Sequence, residues 1–136
     1  MSFWVGTEAG LFENGEKLVT ALEDHSVSAL ATEQNSIWAI VNDHKIWRYD
    51  HEWREVGRIN DYEIQCLLLC KGTLYAGTFA AHVYQLVGPK FVLVDGFEEI
   101  ETRHLWGTPW GELPSTRTMC RDNKDDIYAN IHVGGQ

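Results

Sequence analysis

The sequence predicts an all-β chain built from stacked four-stranded antiparallel meanders. Three observations lead there. An aromatic residue followed by Val or Ala and a short Gly- or Thr-rich stretch recurs as FWVGTEAGLF, IWAIVNDHKIW, LYAGTFAAHVY and IYANIHVGG, anchored on Trp4, Trp38, Tyr75 and Tyr128. The anchors lie 34, 37 and 53 residues apart, which suits propeller blades of roughly 40–50 residues with one late insertion. Apolar residues alternate between turn signals, and no ten-residue stretch carries a helical period, Leu18–Asp24 coming nearest. The expected fold is a partial β-propeller with about two full blades and two partial ones, and no confident helix.

Residues 1–24 read as the end of a first blade, with strands at Phe3–Thr7, Gly10–Phe12 and Lys17–Ala21. The Asn14-Gly15 pair between the last two is a strong hairpin signal, because a type I′ turn needs positive φ at both central residues. Residues 25–60 read as a complete blade with strands Val27–Thr32, Ile37–Val41, Lys45–Tyr49 and Trp53–Val56, joined by short polar turns. Residues 61–97 repeat the pattern as Glu63–Leu69, Leu74–Thr78, His82–Leu86 and Phe91–Val94. An inter-blade loop spans 98–115, and 116–136 opens a fourth blade with Thr116–Arg121 and Ile127–Val133. A propeller closes with about four or more blades, so this set is expected to need further blades or self-association, its open edges offering unpaired N–H and C=O groups.

Composition narrows the partners. Lys and Arg total 11 against 20 Asp and Glu, for a formal charge of −9, without any dense basic run. Nucleic acid and anionic membrane are therefore excluded as expected partners. The start, MSFWVGTEAG, carries neither a basic leader nor a long apolar core, so no signal peptide is expected. The most apolar run, Ile64–Cys70, is far short of the ~20 residues that span a bilayer. Cys66 and Cys70, four apart on one strand, would hold their Cα atoms about 13 Å apart, too far for a disulfide. With Cys120 they read as small buried or half-buried apolar residues in a reducing, cytoplasmic setting. No cofactor is expected, and no CxxC supports a metal.

The segment Asp95–Ser115 breaks the rhythm with two prolines, three glycines and two tryptophans. Loops on rigid scaffolds often carry sites. The run RHLWGTPWGELPSTRTMCRDNKDDIYANIHVGG resembles the sialidase-like, BNR/WD40/YVTN-repeat "glycosyl hydrolase" propeller family, on Arg103, Trp106, Pro109, Trp110, Gly111, Pro114, Arg117, His132, Gly134 and Gly135. The family's Asp box survives only as Asp50 and Trp53 in RYDHEW. The resemblance implies a β-propeller and, in a complete ring, an axial site for a carbohydrate or small molecule.

Arg103, Trp106, Trp110, Arg117 and His132 are the candidate ligand-binding residues. Two arginines suit a carboxylate, or else pair with Glu98, Glu99, Glu101 or Glu112. Trp106 and Trp110 suit a flat ligand such as a sugar, or else pin the loop. His132, two residues before Gly134, suits binding or proton transfer, or else a hydrogen bond within the blade. The pairs Asp24-His25, Asp43-His44 and Asp50-His51 sit at turns, where polar residues are expected without a metal. No catalytic residue is assigned and no nucleophile motif is present. The expected function is a non-catalytic binding or interaction scaffold, with a glycosyl-hydrolase-like protein as the alternative.

Overall fold

The computed structural model describes residues 3–14, 17–33, 35–107, 111 and 113–132. Among the described residues, thirteen strands form three antiparallel meanders and a final two-stranded hairpin in chain order. The first holds β1 (Trp4–Thr7), β2 (Gly10–Glu13) and β3 (Lys17–Leu18). The second holds β4 (Val27–Glu33), β5 (Ser36–Val41), β6 (Lys45–Tyr49) and β7 (Trp53–Arg58). The third holds β8 (Ile64–Cys70), β9 (Thr73–Thr78), β10 (His82–Val87) and β11 (Lys90–Leu93). The fourth holds β12 (Ser115–Arg121) and β13 (Ile127–His132).

The aromatic anchors occupy one structural position. Trp38 on β5 and Tyr75 on β9 lie in the second strand of a complete blade, which makes β1 and β13 second strands too. Side chains alternate on a strand, so the anchors face the following blade and their successors the preceding one. Trp38 packs on the cluster shared by the second and third blades, whereas Tyr128 is 56% exposed at the end of the stack. Val5 is 44% exposed at the other end, while its counterparts Ala39 and Ala76 are fully buried. Cys120 is also exposed, contrary to the buried expectation, because it sits opposite Tyr128 on the same outward face.

First strands lie nearest one another from blade to blade. Each of β4, β8 and β12 carries a bulge at the same place, after Val27, Ile64 and Thr116, which pair with Val41, Thr78 and Ile131. Gly77 permits a close approach: a Cβ there would lie 2.6 Å from Cys66 Sγ of its own blade and 2.7 Å from Thr116 Cγ2 of the next. The core consists of two inter-blade layers. Leu11, Leu22, Val27, Ala39 and Val41 fill the first, and Ile40, Ile46, Ile59, Ile64 and Leu74 anchor the second.

Helical turns depart from the all-strand reading. Thr20–Leu22 forms a 3₁₀ turn where strand was expected to continue, and this places Leu22 fully inside the first layer. The 98–115 segment and its approach also contain short helical turns rather than loop alone, as described below. No helix among the described residues is long and apolar enough to cross a membrane.

The β5–β6 and β9–β10 hairpins both turn through consecutive left-handed residues, Asn42 and Asp43 in one, Ala80 and Ala81 in the other. Asn and Asp tolerate that region, whereas Ala meets its Cβ clash there. Ala80→Asn is therefore expected to raise stability by about 1 kcal/mol in urea denaturation. An unchanged midpoint would show that the hairpin stores no such strain.

Candidate functional site

The insertion between β11 and β12 builds a roof. Asp95–Glu98 forms one α-helical turn, α1, and Glu101–Leu105 a 3₁₀ turn. Their acidic first-turn residues suit the positive end of a helix. The two turns present Phe97, Ile100 and Trp106 toward β9, β10 and β13. Beneath them is an apolar groove of about 420 Å³, lined also by Tyr75, Val83, Met119 and Ile131.

Polar ties fix the roof to the β9–β10 hairpin. Arg103 Nη1 donates to the Ala81 carbonyl at 2.9 Å, with its guanidinium 5.0 Å from the Trp106 ring and 5.4 Å from Phe97. Glu98 lies 2.7 Å from His82 Nδ1 and 4.0 Å from Arg103. Tyr62 stacks on His82 at 4.5 Å, and Thr116 Oγ1 donates to the His82 carbonyl at 3.2 Å. Burial raises the Tyr84 phenol above its ordinary value, and Asp61, Tyr62 and Glu98 add to the effect. The local field is acidic.

The sequence-predicted residues thus separate. Trp106 lines the groove, and Arg103 holds the roof from behind it. Arg117 is the extra residue of the β12 bulge and is exposed, while His132 pairs opposite Ser115 at the end of β13. No hydrogen bond or ion pair joins Arg117 or His132 to Arg103 among the described residues. Pro109, Trp110, Glu112, Gly134 and Gly135 lie outside the described residues.

The Asp-His pairs serve their turns. His25 Nδ1 meets the Glu23 carbonyl and His44 Nδ1 the Ile59 carbonyl, while Asp50 accepts the His51 N–H. That backbone hydrogen bond, followed by Arg54 and Arg48, holds the Asp50 carboxyl below its usual value. No group of three metal-ligating side chains occurs among the described residues.

Sequence reasoning named Glu98 as a partner for the arginines but missed Phe97 in the roof and His82 as its anchor on β10, and Ile127, Ala129 and Ile131 as groove lining. The last three were readable from alternation in IYANI. The His82–Glu98 contact joins residues from different elements and left no local signal. A second hollow of about 380 Å³ lies between the first two blades, lined by Trp4, Glu13, Tyr49, Glu52 and Trp53.

No family model matches the chain. No curated protein matches it either. Among solved structures, one described as YCF48 bound to D1 peptide is similar with a TM-score of 0.57, at 14% identity over 94% of this chain. The match covers 44% of that structure's chain, so this chain spans less than half its length. The likeness supports a propeller-like arrangement of the meanders.

Proposed function

We propose that the chain is a non-catalytic binding scaffold whose roofed groove between the third and fourth blades receives an apolar segment of a protein partner. The observation that carries this is the 420 Å³ apolar groove under Trp106, built from the roof segment and from β9, β10, β12 and β13, and tied down by Arg103 and Glu98. Concave apolar sites with a few fixed polar groups are the usual form of a binding site. The solved neighbour's description names a bound peptide, which fits a protein segment better than a sugar. Exposed Val5 and Tyr128 give the scaffold two end faces for further blades or self-association.

The glycosyl-hydrolase-like alternative loses its main support in Arg103. That side chain is already engaged by Ala81, Glu98, Phe97 and Trp106 instead of facing a substrate carboxylate.

Peptide-display selection on the wild-type chain, followed by titration against Trp106→Ala and Ile131→Ser, tests the groove. Selected peptides are expected to be rich in apolar residues and to bind both variants at least tenfold more weakly, with circular dichroism unchanged. Equal binding to all three proteins sinks the groove as the site.

A further inference from the structure

We propose that the hollow between the first two blades binds a quaternary ammonium group, with the rings of Trp4, Tyr49 and Trp53 around the cation and Glu13 and Glu52 supplying counter-charge. This site is separate from the groove and uses a different pair of blades.

Alternation brings the rings together. Trp4 and Glu13 are paired across β1 and β2, so both side chains share the face turned to the second blade. Tyr49 and Trp53 are paired across β6 and β7 and face back toward the first, their rings 5.4 Å apart and 39° from parallel. All four line one hollow of about 380 Å³, joined by Glu52 from the turn between β6 and β7. Its walls are side-chain faces, so it does not depend on any strand edge. Trp4 and Trp53 also rest against the first core layer, which fixes where their rings stand.

The second blade shows what such a position accommodates. The register that sets Glu13 opposite Trp4 sets Arg48 opposite Trp38 in the second blade and Gln85 opposite Tyr75 in the third. Arg48 supplies a cation of its own: its guanidinium carbon lies 4.7 Å from the centre of the Trp38 ring. The first blade keeps the tryptophan and places a carboxylate across from it. Among the described residues no cation stands over Trp4 or Trp53.

Chemistry selects the ligand. The negative faces of aromatic rings attract a cation most strongly when it sheds its water easily. A quaternary ammonium has no N–H group to satisfy, so rings and two carboxylates are enough. A primary ammonium brings three donors and a guanidinium five, which three ring faces do not satisfy. The volume is at the small end of the usual range for ligand sites, about 300–1,000 Å³. A chain charge of −9 favours the approach of a cation.

Choline is the probe, followed through the tryptophan indole N–H signals by NMR at low salt, where charge attraction is least screened. Its neutral tert-butyl analogue, with carbon in place of nitrogen, has the same shape. Choline is expected to shift the Trp4 and Trp53 signals saturably, and the analogue to bind about tenfold more weakly. Glu52→Gln, at an exposed turn position, is expected to weaken choline about threefold. Trp53→Leu is expected to abolish binding, and Trp53→Phe, which keeps a ring in the core, to retain part of it. A peptide bearing trimethyl-lysine that binds more tightly than choline assigns the cation to a protein side chain, and the reverse order assigns it to a free small molecule; either upholds the site. No saturable shift with choline overturns the inference, as does equal binding of choline and its neutral analogue. Lys17 lies opposite Glu13 in the β2–β3 register. If choline binds only to Lys17→Gln, the chain's own ammonium holds the place and the inference falls.

Discussion

Ile46→Ala is expected to lower the free energy of unfolding by about 2–5 kcal/mol, the range for truncating a fully buried aliphatic side chain. Ile46 has no exposed surface, pairs with Ile40 across β5 and β6, and lies in the layer that joins the second and third blades. Its removal takes away apolar burial and leaves a cavity walled by strands that relax only in part. In stacked repeats, stability is a sum of unit terms and neighbour interfaces, so the loss weakens both blades together. Urea denaturation followed by tryptophan fluorescence reads the shift in midpoint. Val87→Ala, at an exposed position on β10, is the control and is expected to stay within about 0.5 kcal/mol of the parent. Similar shifts for the two variants would mean that the inter-blade layer does not hold the stack together.

Local signals were enough for the strands and their order, because alternation, aromatic anchors and turn residues all act over a few positions. The equivalence of Trp4, Trp38, Tyr75 and Tyr128 was visible in the sequence and is visible again in the sheets. Departures arise where tertiary packing overrides local preference. Lys17–Ala21 alternates like a strand, yet burying Leu22 between the first two blades requires the chain to turn at Thr20. Cys120 is apolar enough for a core, but the face it shares with Tyr128 is exposed among the described residues. The candidate site was half legible. Trp106 was identified because a tryptophan in a Pro/Gly-rich insertion stands out, whereas its roof partner Phe97 lies in the unremarkable run DGFEE. Arg103 stood out as a ligand residue or a partner of Glu98, which it approaches, while its tie to a hairpin carbonyl 22 positions away could not be read from spacing.

Arg103→Ala is expected to loosen the roof and to weaken peptide binding about tenfold, equivalent to roughly 1.4 kcal/mol. The side chain is only 21% exposed and joins four groups: the Ala81 carbonyl, Glu98, and the faces of Phe97 and Trp106. An unsatisfied buried carbonyl costs about 1–3 kcal/mol, and each cation–π contact about 0.5–1 kcal/mol. The 4.0 Å approach to Glu98 adds little by comparison. Because these ties hold a short insertion rather than the sheets, the damage should be local. Hydrogen exchange is expected to speed up across residues 95–107 while β5 and β6 stay protected. Arg103→Lys keeps the charge but loses the planar face that stacks on both rings, so it should restore only part of the protection and affinity. A ligand-anchoring role gives the opposite pattern. Arg103→Ala would then leave exchange in the insertion unchanged, and Arg103→Lys would recover binding to a carboxylate-bearing ligand. The roof acts through Arg103 only if exchange and affinity fall together in the Ala variant and recover together, in part, in the Lys variant.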